Sequence, residues 1–129
     1  MLTFAFGYLL FRDHGVVAIK DGARIPFELH DNRIFVSARI NGKMCHLVLD
    51  TGGNGDTFLD KDFADQLGLP LRKSWPITGV GSVSVPAYRS HVDSVVIHDL
   101  VMQDQPVNVV SFKEMREALK LKYLDGIVS

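Results

Sequence analysis

Apolar and polar positions alternate with a period of two over residues 33–40, RIFVSARI, where Ile34, Val36, Ala38 and Ile40 interleave with Arg33, Phe35, Ser37 and Arg39. Successive side chains of a strand point to opposite faces, so this pattern predicts a strand with the first set turned towards a core. RIPFELH, just before it, carries a similar strand signal. Asn41-Gly42 follows, and because both residues tolerate positive φ the pair predicts a tight hairpin. The returning strand is KMCHLVLD, which places Asp50 at its end.

Beyond Asp50 the pattern breaks into TGGNG. LDKDFADQLGL then has the spacing of a short helix, with Asp60 as its N-cap, Phe63, Ala64 and Leu67 on one face, and Gly68 and Pro70 as stop signals. Strand signals return from Trp75 onward. Gly79 and Gly81 mark a bend or hairpin tip, Pro86 suits an edge strand, Val92 to Ile97 is apolar enough to be buried, and QPVNVV is a further strand. SFKEMREALKLKY predicts a second helix, with Ser111 and Glu114 in capping-box spacing and an apolar stripe of Met115 and Leu119 that reads as core. LDGIVS adds a last apolar step beside a glycine. The elements sum to a mainly antiparallel β domain with two short helices.

Size and charge narrow the function classes. The chain has 129 residues, 47% of them hydrophobic, which suits one domain with one core. Fourteen Lys and Arg against fifteen Asp and Glu leave a net charge of −1 with no basic run, so nothing marks a nucleic-acid-binding surface. Cys45 is the only cysteine, which excludes an internal disulfide and a multi-cysteine zinc site; it is expected to fill core space. The apolar stretch Leu2 to Phe11 is too short to span a bilayer and lacks a basic start and a small-residue cleavage site. Membrane association is not expected. The division is therefore an N-terminal apolar segment, residues 1–23, read as a first strand or the trimmed end of a larger protein, and a domain over residues 24–129. The compartment is left open.

The candidate chemistry lies in HLVLDTGGNGDTFLD, residues 46–60. A structural turn would account for the glycines, because Asp and Gly both favour loops. It does not explain why LVL should run directly into a carboxylate, where partial burial costs free energy unless the charge is put to use. A phosphate-binding loop would need a Gly-Lys-Ser/Thr ending, and Asp50 and Asp56 would repel the phosphate. A calcium loop starting at Asp50 would put Gly52 and Lys61 at its third and twelfth positions, where oxygen ligands belong. The remaining reading is a general-base aspartate.

Two apolar residues followed by Asp-Thr-Gly resemble the active-site signature of the aspartic peptidases. The surrounding order, over about residues 25–129, resembles their retropepsin-like branch of bacterial or retroviral type. The Asn-Gly hairpin precedes the signature, FLDKDFADQLGL follows it, ITGVGSVSV stands where that family has its flap, and LDGIVS where it has a second apolar-Gly element. The resemblance implies a retropepsin-like acid-protease fold, a closed or partly open β-barrel-like half domain. It implies that Asp50 is catalytic, that Thr51, Gly52 and Gly53 form the active-site loop, and that Gly79, Val80, Gly81 and Ser82 form a substrate-binding flap. Gly126, Ile127 and Val128 would be the second apolar-Gly element. A peptide or protein substrate follows, with no cofactor and no metal.

Such a site needs two carboxylates sharing one proton, and the chain has one Asp-Thr-Gly; LHDN, HVDS, IHDL and LDGI lack the rest of the signature. A homodimer is therefore expected, with Asp50 facing its symmetry mate across a twofold axis. Two departures stand out. Gly53 followed by Asn54-Gly55 replaces the usual Ala or Ser, and Ser129 falls where the family has a glycine. Because the sequence also stops there, where the family continues into a last helix and strand, a domain lacking those elements is expected. No role is assigned to His46 or the other histidines, and Trp75 is expected to be a packing anchor. Two functions are in play: an aspartic endopeptidase, and an inactive dimerisation or peptide-binding module in which Asp50 is structural.

Overall fold

The computed structural model describes residues 2–4, 23–30, 32–50, 56–78 and 84–128. Their order is β1 (Leu2–Phe4), β2 (Ala23–Ile25), β3 (Glu28–His30), β4 (Arg33–Ile40), β5 (Lys43–Leu49), β6 (Phe58–Asp60) and α1 (Lys61–Gln66). Then come β7 (Arg72–Lys73), β8 (Ile77–Thr78), β9 (Ser84–Val85), β10 (Ala87–Ile97), β11 (Leu100–Val110), α2 (Lys113–Leu119) and β12 (Gly126–Val128). Among the described residues no helix is long and apolar enough to cross a membrane.

Six strands close into a barrel, in the order β4, β5, β12, β6, β11, β10 and back to β4. The β4–β5 hairpin turns on Asn41 and Gly42, at φ 49° and 83°, the conformation a primed turn requires. Asn41 also closes the barrel: its side-chain oxygen accepts from the Asp93 and Ser94 amides at 2.8 and 3.2 Å, beside the pairing of β4 with β10. Strand β12 is only three residues long, yet it lies between β5, to which it is parallel, and β6, to which it is antiparallel. The two ends of the Asp50 loop are thus held apart by one strand's width.

Apolar alternation fills the barrel with Val36, Ala38 and Ile40 from β4, Cys45, Leu47 and Leu49 from β5, and Val92, Val95, Leu100 and Val109 from the long β10–β11 hairpin. Phe63 and Ala64 of α1 join this core, and Gly68, at φ 68°, ends that helix as expected. A second apolar cluster, Phe35, Val48, Ala87, Val110, Phe112 and Leu124, packs on the opposite pleat.

That second cluster corrects the simple alternation. Phe35 was placed with the outward residues of β4, but it is buried, because Phe112 and Leu124 cover that face. RIPFELH is two short strands interrupted at Pro26 and Phe27. Within the run from Val92 to Ile97 only Val92, Val95 and Ile97 are buried, and QPVNVV is the end of an eleven-residue strand. Pro86 lies between β9 and β10, whereas Pro106 sits inside β11, where β6 has not yet begun to pair and no second partner needs its missing N–H. The capping box does not form: α2 has Phe112 as its N-cap, and the Ser111 hydroxyl accepts from the Lys113 amide at 3.3 Å.

Candidate active site

Asp50 is the first residue after β5, and its side chain is exposed. Its backbone N–H donates to the Val128 carbonyl at 2.8 Å, extending the β5–β12 ladder by one bond. Strands β5 and β12 therefore run side by side up to Asp50. Gly126, Ile127 and Val128 lie opposite Leu47, Val48 and Leu49. Thr51, Gly52 and Gly53, the residues expected to form a flap (Gly79, Val80, Gly81 and Ser82), and Ser129 lie outside the described residues. Strands β8 and β9 pair antiparallel on either side of residues 79–83.

Two hollows adjoin this junction. One, of about 370 Å³, is lined by Asp50 with Arg33, Leu49, Met115, Leu119 and Ile127. The other, of about 440 Å³, lies between the base of β8–β9 and α2, with Phe58, Ile77, Val85, Phe112, Met115 and Ile127 in its walls. Met115 and Ile127 line both. An exposed carboxylate in a hollow of mixed character, next to a more apolar one, is an arrangement that can hold a polar reaction beside apolar side chains of a ligand. The Met115 and Leu119 stripe, expected as core, is half-exposed and faces these hollows.

The polar framework behind the site was not apparent in the sequence. Asp60 stands at the N-cap of α1 with extended backbone, but its carboxylate makes no capping bond there. It is 3% exposed; one oxygen accepts from the Phe112 amide at 2.8 Å and the other pairs with Arg116 Nη1 at 3.1 Å. The same Arg116 nitrogen donates to the Leu124 carbonyl at 3.1 Å. One residue on, Asp125 accepts from the His46 amide through its carboxylate at 2.8 Å, donates its own amide to the His46 carbonyl and accepts from the Asp60 amide. The entry into β12 is thus tied to both β5 and β6.

His46 also stacks on Tyr123, with ring centroids 4.9 Å apart, so it serves this junction structurally. Trp75 is not a packing anchor. It is 87% exposed on the coil between β7 and β8 and belongs to neither apolar cluster. Cys45 does fill core space, and burial, with the Asp125 carboxylate adding to it, pushes its thiol up to about 12. A thiol so held is not ionised near neutrality and supplies no nucleophile.

Comparison with known proteins agrees with this geometry. The profile of a family described as aspartyl protease matches residues 36–124. In the crystal structure of a retropepsin-like aspartic protease from Rickettsia conorii, 64% of this chain and 68% of that one superimpose at a TM-score of 0.54, with 22% identity. That likeness is one of fold: the closed six-stranded barrel with few short helices is retropepsin-like. No curated protein matches the chain significantly.

Proposed function

We propose that this chain, which belongs to the aspartyl protease family, is one half of an aspartic endopeptidase whose catalytic pair is Asp50 and the Asp50 of a second copy. The observation that carries the reading is the placement of Asp50: exposed at the end of a buried strand, hydrogen bonded through its backbone to β12, and lining a hollow of mixed polar and apolar walls that shares Met115 and Ile127 with a more apolar one.

Two carboxylates brought together cannot readily both ionise, so over a range of acid pH such a pair holds one proton; pepsin is the standard example. The ionised member withdraws a proton from a water held between them. As the water oxygen attacks the scissile carbonyl, the protonated member donates to the carbonyl oxygen. Collapse of the tetrahedral species, with a proton passed to the leaving nitrogen, releases amine and acid and restores the pair.

In this reading Thr51 orients the loop, Gly52 and Gly53 let backbone approach the carboxylate, and Gly79, Val80, Gly81 and Ser82 close over an extended peptide. An extended substrate suits a β-walled cleft because main-chain hydrogen bonds hold it, with side chains read by pockets. The second reading, a peptide-binding or dimerisation module without catalysis, is favoured by the sequence Gly53-Asn54-Gly55, a departure from the Ala or Ser usual beside a carboxylate that must be held in register with its mate.

Hydrolysis of an unfolded protein between about pH 3 and pH 7 separates them, because a shared-proton pair works where one member is protonated. Acid-favoured cleavage is expected, and Asp50→Asn lowers it by roughly 10²–10⁴-fold. Cleavage that survives Asp50→Asn would exclude the shared-carboxylate mechanism. A folded, dimeric chain without cleavage would favour the binding module.

A further inference from the structure

Helix α2 forms a wall of both hollows, yet from Lys113 to Leu119 it has no fully buried residue. Seven residues are too few for a helix to hold by intrinsic propensity. Apart from Phe112 at its start and Met115, which packs partly buried on the second apolar cluster, it is left to polar anchors among the described residues. Two are found, and they converge on one buried carboxylate: Asp60 accepts the Phe112 amide and pairs with Arg116, one turn further along the helix. Arg116 then reaches the Leu124 carbonyl, immediately before the Asp125 junction that feeds β12.

Strand β12 has anchors of its own, through β5, β6 and His46. Among the described residues α2 has no such set of strand pairings, only Phe112, the part-buried Met115 and this pair, so it is the element that depends on the pair most. We propose that Asp60 and Arg116 are positioning residues for the substrate cleft: their ion pair fixes α2, and with it Met115 and Leu119, as the wall beside Asp50. Neither side chain touches substrate. A charge in a buried site is retained only when well paired, and here the pairing joins the β6–α1 corner, α2 and the approach to β12.

The inference builds on the peptidase reading, and its test has one arm independent of activity. Hydrogen exchange by mass spectrometry is followed over residues 111–121 and 87–110 in the wild type, Arg116→Leu, Arg116→Lys and the double variant Asp60→Asn/Arg116→Leu. The double variant leaves no unpaired buried charge and covers the case in which Arg116→Leu fails to fold. Exchange over 111–121 is expected to rise about tenfold or more in Arg116→Leu and the double variant, and over 87–110 to stay within about twofold, as for local opening. With a peptide substrate, KM rises about tenfold and kcat stays within about threefold, the signature of lost binding geometry. Arg116→Lys recovers most of both.

Unchanged exchange over 111–121, or an equal rise over 87–110, overturns the proposal; so does an unmoved KM in an active enzyme whose α2 has loosened. If no protein cleaves peptide, the peptidase reading fails and the exchange arm alone decides whether the pair fixes α2.

Discussion

Burial of Cys45 raises its thiol from the ordinary 9.0 to about 12, with the Asp125 carboxylate adding to the rise. The folded protein therefore holds this proton more tightly than the unfolded chain. The resulting stability is fully present below about pH 9 and is lost as pH rises from there towards 12, at up to about 1.4 kcal/mol per pH unit. Urea unfolding from pH 8 to pH 11 is expected to show a steeper decline for wild type than for Cys45→Ala, which starts less stable because of the volume removed. Parallel curves would mean that the thiol is not so held. Cys45 was legible as a core residue because it alternates with Leu47 and Leu49 along β5. Asp60 was legible only in part. Its position before α1 is an N-cap position, but its partners Phe112 and Arg116 lie on a helix that no local pattern connects to it.

Elements with their own periodicity were predictable, and elements defined by insertion were not. Strands β4 and β5 and the Asn41-Gly42 turn carry local signals: alternation along the strands, and positive φ at the turn. The Asn41 bonds to β10 add a reason for Asn that the turn alone does not require. Strand β12 is three residues long, and its place between β5 and β6 is visible in sequence only through resemblance. Its packing depends on Gly126. A Cβ there would meet Leu47 Cδ2 at 2.7 Å, the Phe58 carbonyl oxygen at 2.9 Å and Leu59 Cδ2 at 3.0 Å, and the carbonyl is backbone that cannot swing aside. Gly126→Ala is expected to destabilise the fold by about 1–3 kcal/mol, as overpacking does, measured by urea unfolding. It should also weaken the bond from the Asp50 amide to Val128, seen as faster exchange at that amide. A variant with wild-type stability and exchange would show that β5 and β6 can part without cost.

For the whole molecule, the proposed chemistry makes the dimer the catalytic unit, because each chain brings one Asp-Thr-Gly. This has a numerical consequence that does not depend on knowing the substrate. If wild type and Asp50→Asn are mixed in equal amounts, unfolded together and refolded, chains pair at random and about one dimer in four carries two intact carboxylates. Activity per total chain should then fall to about a quarter of the all-wild-type value, since a mixed pair lacks one carboxylate and loses the shared proton. A chain that works alone would retain about half. Sedimentation of the same samples supplies the control, because Asp50→Asn removes a charge but leaves the backbone bond to Val128, and equal dimer fractions are expected in all three preparations. A quarter with equal dimerisation places the two carboxylates in one site; a half with equal dimerisation separates the dimer from the chemistry and leaves Asp50 to act without its mate.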